Sequence, residues 1–513
     1  MSMQKRLHTS VNPCLRVSCG LLLAVLLSAA SENDWFVPLG PPPKAAPRHI
    51  SGGESFPPLP LPATPLRRSE RKKDPAPPKL IGKVVWGETA TFGSGDGGGE
   101  IADWNLCPAD LQSLMRSAGS ALGVRYGSQT VSLATFEADP TTTPLLFVSG
   151  TRRLRMDAEQ LAKLRLYVQR GGLLVFDSVA GSPWFTDSVR ATLAQLFPDR
   201  PLRRLPADHP LLHAAVDIPT AGFGRNPPGD QPALEGLYVG CRVGVLLSPY
   251  GLGCGWDGRT VPGLPQAVFY DVETAGRLGV NLVAYALGYA ETGLEEAKPE
   301  LFGAVDAAAP SDELVLSQLT HSGHWDVHPG AAAALLRRAA GTLAVRVSLR
   351  RQVVDPGKDA LGGRTFAYLS GLDDFSFDDT AIANLRRFLA NGGTLLVNNG
   401  LGLATFDAAA RRELARLLPD QPLKPIPTDH ALLRSGPFPI GEVHLSPAAR
   451  AAEPKLAAAA LEGITIGGDL RVIYSRLDLE AGWLGCEHPM MRGYEADTAM
   501  ALGLDLLVYA ATH

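Results

Sequence analysis

The sequence predicts an α/β protein made of two tandem three-layer domains, each with a mainly parallel sheet covered by helices. At 513 residues the chain is too long for one core, since single cores stop growing near ~250–300 residues. Long stretches of its first half return in its second half. Within each copy, short apolar runs that stop at glycine alternate with segments of helical periodicity, as expected for strands buried on both faces and joined by helices.

The repeat is plainest in two phrases, PLRRLPADHPLLHA from Pro201 and PLKPIPTDHALLRS from Pro422. A constant offset of 221 residues relates His209 to His430, Trp104 to Trp325, Pro108 to Pro329, Gly150 to Gly371, Gly172 to Gly393 and Phe185 to Phe406. The match is ungapped from Trp104 to Pro210 and then continues, with small length changes, through the ALEG segments and LGVNLVAYAL against LGLDLLVYAA. A period of ~220 residues lies far beyond solenoid repeats, so it marks two homologous domains. Their expected bounds are 80–292 and 309–513, with 293–308 as the joint.

At the N-terminus, Lys5, Arg6 and Arg16 precede the apolar run Leu21 to Leu27, and the small residues Ser28, Ala29 and Ala30 follow it. That order predicts a secretory signal over 1–30, cut after Ala30, and hence a periplasmic or extracellular protein. The run is shorter than the ~20 residues a spanning helix needs, so no integral membrane span is expected once the signal is removed. Residues 31–79 are rich in proline and carry the basic cluster Arg67, Arg68, Arg71, Lys72 and Lys73, which predicts a semi-rigid, disordered linker. Cys14 and Cys19 leave with the signal. Cys107, Cys241, Cys254 and Cys486 are too few and too scattered for a disulfide framework.

Each copy then reads in the same order. TPLLFVSG and RTFAYLSG are buried strands, and Asp157 and Asp378 cap the helices that follow. Leu161, Leu164 and Val168 form one helical face, matched by Ile382, Leu385 and Leu389. Gly171-Gly172 and Gly392-Gly393 end those helices, and LLVFDS and TLLVNN return as strands. Strand, helix and strand in quick succession imply right-handed crossovers and a parallel sheet.

The order DW, SG after a strand, LRLYV or LRRFL, a double glycine before a strand, FPDRPLRRLPADHPL, ALEG and SPYGLGCGW resembles the bacterial domain of unknown function 4159 family, in two tandem copies. That family is similar in fold to class I glutamine amidotransferases, so the resemblance implies a flavodoxin-like sheet and a cell-envelope setting beside aerotolerance-type proteins with von Willebrand domains. Where the family carries a histidine after the strand-terminal glycine, this chain has Thr151 and Leu372.

Acyl transfer on such a fold needs a thiolate on a tight turn after a central strand. The corresponding positions are expected at Asp177-Ser178 and Asn398-Asn399, where neither copy offers cysteine. FDSVA also lacks the flanking glycines of a serine elbow, so no catalytic residue is assigned. In Asp208-His209 and Asp429-His430 the aspartate reads as a cap or turn former, with Pro210 in the first turn. Trp256 and Trp483 read as rings closing a sheet edge, and Gly93 to Gly99 as a flexible loop with no phosphate-loop spacing. A divalent metal is the one cofactor the residues suggest: His321, His324 and His328 cluster in LTHSGHWDVHPG, opposite Glu100, Asp103 and Cys107 of the first copy.

Ligands on open α/β sheets collect at the carboxyl ends of the strands, which singles out Asp103, Trp104, Thr151, Asp177, Ser178, Trp325, Asn398 and Asn399 as binding candidates. A net charge of −4 from 48 basic and 52 acidic residues argues against nucleic acid as a partner. The resulting expectation is a non-catalytic binding or assembly module with an envelope protein partner. The alternative is an envelope hydrolase or metal-dependent enzyme using the loops around Trp104 and Trp325.

Overall fold

The computed structural model describes residues 31–39, 78–92, 99–259, 264–297, 314–343, 345–349, 352–359, 361, 365–434, 442–456, 458–486, 488 and 490–513. The expected signal, most of the proline-rich linker, most of the glycine loop at 93–99 and most of the joint lie outside the described residues. The chain forms two halves, each an α/β unit around a seven-stranded sheet.

In the first sheet the spatial order is Gly127–Ser132, Lys79–Val85, Leu145–Gly150, Leu173–Ser178, Arg242–Ser248, Glu235–Val239, Arg203–Arg204. The first five are mutually parallel, Glu235–Val239 runs antiparallel to them, and Arg203–Arg204 pairs antiparallel with it and so runs with the first five. The parallel strands thus follow the order 2-1-3-4-5 of flavodoxin-like sheets. In the second sheet the order is Gln352–Val354, Ser317–Leu319, Phe366–Gly371, Thr394–Asn399, Asp469–Ser475, Leu461–Ile466, Lys424–Pro425, with the same directions. Register repeats too: Gly150 pairs with Ser178, and Gly371 with Asn399.

Period-two alternation explains the layers, because successive strand side chains point to opposite faces. Leu145, Phe147 and Val175 pack with Leu111, Leu114 and Leu278 on one side of the first sheet. Leu146, Val148 and Phe176 pack with Leu164, Val168 and Phe185 on the other. Each buried side chain of this size is worth ~1.5–3 kcal/mol.

Asp157 and Asp378 accept hydrogen bonds from the amides of Gln160 and Ala381, so both cap their helices as the sequence indicates. Gly171 and Gly392 take φ of +103° and +88° just past the helix ends. A Cβ on Gly172 or Gly393 would enter the ring of Tyr167 or Phe388, which fixes glycine there by close approach.

Three details differ from the sequence expectation. The histidine, not the aspartate, caps the turn in the repeated phrase: His209 Nδ1 accepts from Leu211 N, and His430 Nδ1 from Leu432 N, each at 3.1 Å. Imidazole can do this because its unprotonated nitrogen is an acceptor that reaches the unpaired amide two residues on. The beginning of the expected linker is packed rather than free, with Trp35 and Phe36 only 4% and 6% exposed. The joint begins within the helix Ala290–Glu296.

Candidate functional site

In the first half, Asp103 is buried beneath the loop that leaves Leu145–Gly150. Its Oδ1 accepts from Thr151 N at 2.9 Å and Thr151 Oγ1 at 2.7 Å, and its Oδ2 from Arg152 N at 3.1 Å. Burial raises its pKa, partly offset by those Thr151 bonds. Trp104 is half-buried, and its carbonyl accepts from Ser149 Oγ at 3.0 Å. Asp103, Trp104 and Thr151 are therefore brought together, but as the brace of a loop. Beside them Gly87, Glu88, Asp103, Arg152, Arg153 and Arg155 line a cleft of about 220 Å³.

Asp177 and Asn398 perform one task in the two halves. Asp177 Oδ1 accepts from Leu252 N at 2.7 Å and Oδ2 from Gly253 N at 2.9 Å, while Asn398 Oδ1 accepts from Leu479 N at 2.9 Å. Each ties a central strand to the short helix that carries Trp256 or Trp483. Those indoles donate to Ala275 O at 2.7 Å and Ala499 O at 2.9 Å, so they are packed into the neighbouring helix. Burial pushes the Asp177 carboxyl up to about 7, against the pull of its two amide donors.

Ser178 and Asn399 close the turn after the strand. Ser178 Oγ donates to Ser182 O at 2.8 Å, and Asn399 exchanges bonds of 3.0 Å with both Leu403 N and Leu403 O. The left-handed position expected of an elbow lies further along, at Ala180 (φ 57°, ψ 11°) and Leu401 (φ 57°, ψ 1°). Left-handed φ is uncommon for side chains other than glycine and asparagine. Both copies keep the strained turn, and both fill it with a side chain that has no nucleophile.

The three histidines of the second half do not converge. His321 Nε2 lies 2.8 Å from Ser370 O and its ring packs on Phe375, whereas His324 Nε2 lies 2.7 Å from Gly240 O of the first half. Burial lowers their pKa values to about 3 and about 4. His328 Nε2 pairs with Asp478 Oδ2 at 3.4 Å in the interior. Among the described residues no group of three or more His, Cys, Asp or Glu side chains is placed to hold a metal. Trp325, half-buried beside them, accepts from Gln318 Nε2 at 3.0 Å through its carbonyl.

The separation has a cause: this loop is where the halves meet. His324 stacks on Tyr238 at 4.7 Å, Arg203 Nη2 donates to Ser322 O at 2.6 Å, and Arg200 pairs with Asp326 at 3.5 Å. Val327, Leu372, Leu401, Leu403 and Ala481 join one continuous apolar cluster with the core of the first half. A cavity of about 660 Å³ remains in the seam, lined by residues including Asp208, His213, Leu403, Met490 and Arg492.

Two buried polar centres have almost no local signature in the sequence. In the first half Lys83 Nζ donates to Asp110 Oδ2 at 2.7 Å, Cys107 O at 2.9 Å and Asn105 Oδ1 at 3.1 Å, which satisfies all three ammonium protons. The signal was a lone lysine inside the apolar run LIGKVV. In the second half Asp478 accepts from Asn398 Nδ2, Leu401 N and Glu480 N. Burial would raise the Asp478 carboxyl, but His328 holds it below the usual range. Burial pushes neighbouring Glu480, which accepts from Tyr368 and Ser370, up to about 7. Both centres are closed to solvent, so their chemistry is that of satisfied networks that specify the fold.

Fold and site together define a class: a tandem α/β protein whose strand-end centres are filled by polypeptide. The chain belongs to the family described as Domain of unknown function (DUF4159), matched over residues 97–287 and 315–511, one match in each half. No curated protein matches it. A solved structure described as a phosphosugar isomerase of Silicibacter pomeroyi is 12% identical, with 62% of this chain and 75% of that chain covered, at a TM-score of 0.15. Overlap of that quality carries no argument about function.

Proposed function

We propose that the protein is an exported, non-catalytic binding or assembly module of the bacterial cell envelope. The observation that carries the non-catalytic reading is the pair of left-handed turns at Ala180 and Leu401. An acyl-transfer site needs a nucleophile on such a turn with a base in reach, and alanine and leucine supply none. The flanking Ser178 and Asn399 are committed to holding the turn. Filled strand ends in both halves favour a role in holding polypeptide over turnover of a small substrate.

Export is supported by the order of basic, apolar and small residues over 1–30. Among the described residues no helix is long and apolar enough to cross a membrane. The test has two arms. Cell fractionation with mass spectrometry of the native chain should find it in the envelope fraction, beginning at Ser31. An intact Met1 in the cytoplasm overturns export. Purified protein should hydrolyse neither glutamine nor activated esters and should form no fluorophosphonate adduct. Turnover lost in Ser178→Ala with the fold intact overturns the non-catalytic reading.

A further inference from the structure

The strand-end groove is filled at equivalent positions in both copies. In the first half Leu106, Cys107, Val179, Ala180 and Cys254 form one apolar cluster with Trp35 and Phe36. In the second half the counterparts of Leu106, Ala180 and Cys254 are Val327, Leu401 and Ala481, and they join the cluster of the first half's core. One groove, two copies and two different segments of the chain: the recurring feature is an apolar floor around the strained turn that takes protein side chains.

The occupant of the first groove has a distinct chemistry. Ser31–Leu39 reads SENDWFVPL, acidic at its start and aromatic at its centre. The Glu32 carboxylate accepts from Arg153 N at 2.9 Å and approaches the Arg153 guanidinium at 3.4 Å. Arg152 donates to Asn33 Oδ1 at 3.3 Å and lies 5.4 Å from the centre of the Phe36 ring, a cation–π distance. Arginines on the rim therefore meet both the acidic start and the Phe36 ring, and apolar side chains on the floor take the aromatic part. Ser31 N donates to Asp34 Oδ2 at 2.6 Å. This bond lies within the segment and holds its first turn in the bound shape; cleavage after Ala30 would make Ser31 a free ammonium, and a charge-assisted bond is stronger than a neutral one.

We propose that the strand-end groove of the first half is a peptide-binding site for an acidic, aromatic segment, that a free amino terminus strengthens the turn in which the segment binds, and that Ser31–Leu39 is the occupant supplied by the chain itself. The amino-terminal element rests on the export reading. Residues 40–77 separate the occupant from the strand Lys79–Val85, long enough a connection for the segment to leave without disturbing the sheet.

The experiment uses the chain from Ser31 to His513 carrying Trp35→Ala and Phe36→Ala, which empties the groove, and a dye-labelled SENDWFVPL peptide read by fluorescence anisotropy. The variant should bind the peptide saturably, and the unsubstituted chain at least about tenfold more weakly because its own segment competes. N-acetylation of the peptide should weaken binding by about threefold. Equal binding to both chains, or none to a variant with native circular dichroism, overturns the site. Equal binding of free and acetylated peptides overturns the amino-terminal element. Should the double variant misfold, Arg153→Glu with a Glu32→Arg peptide serves instead: the swapped pair should bind and the mixed pairs should not, and indifference to the swap overturns the site. An uncleaved native chain would sink the export reading while leaving these binding results unaffected.

Discussion

Asp208 of the first half caps a helix of the second. Its Oδ2 accepts from Thr405 N at 2.8 Å and its Oδ1 from Thr405 Oγ1 at 2.5 Å. The helix Ala404–Leu417 has Leu403 at its N-cap, a residue with no side-chain acceptor. The carboxylate supplies from another domain the acceptor that serine or aspartate normally supplies locally, and it meets the positive end of the helix dipole. The counterpart Asp429 is exposed, so only one copy of the repeated phrase does this.

Asp208→Ala is therefore expected to cost about 1–2 kcal/mol, the usual cost of losing a helix cap. Hydrogen exchange should accelerate at 403–407 first. A double-mutant cycle with Thr405→Ala should return most of that cost as coupling, and fully additive effects would show that the contact contributes nothing in solution.

His324→Ala should loosen the same seam by removing the bond to Gly240 O and the stack on Tyr238, at a cost of about 1–2 kcal/mol. Its pKa is depressed by burial to about 4. A depressed histidine contributes stability that is present above the unfolded value of ~6.5 and is lost as pH falls toward the folded one. The penalty of the variant relative to the native chain should thus shrink between about pH 6.5 and 4 in urea unfolding curves. Zinc content by atomic emission should be the same in both proteins, and a stoichiometric difference would reinstate the histidines as ligands.

Asp177→Asn places in the first half what the second half already has at Asn398. The native carboxyl is raised to about 7. A raised carboxyl adds stability below its unfolded pKa and loses it as pH climbs toward the folded one. The variant should therefore gain on the native chain between about pH 4 and 7, by at most about 1.4 kcal/mol per pH unit. A pH-independent difference would mean that Asp177 is ionised throughout.

Ala180→Gly should be neutral or stabilising by up to about 1 kcal/mol, because glycine relieves the left-handed backbone. Gly181→Ala should destabilise, since φ there is +75° and a Cβ would come within 2.7 Å of Val268 O. Thermal melts of the two variants check the pair, and a clear loss in Ala180→Gly would mean that the turn is unstrained.

The sequence by itself determined the duplication, the two α/β halves, the capped helices at Asp157 and Asp378 and the glycines that end them. These depend on periodicity and on local backbone demands, which a chain states within a few residues. It also placed Asp177, Ser178, Asn398 and Asn399 at strand ends, because such positions recur at fixed places in the repeat. Only tertiary structure decided what those residues do. Lys83 meets Asp110, and Asp478 meets His328, across distances that no local pattern encodes. The histidine loop reads as a ligand set because its imidazoles are close in sequence, yet each has a different partner in the fold: Ser370 O, Gly240 O of the first half and Asp478. Convergence of side chains is fixed by packing between distant segments, and here that packing turned a metal-like motif into an interface.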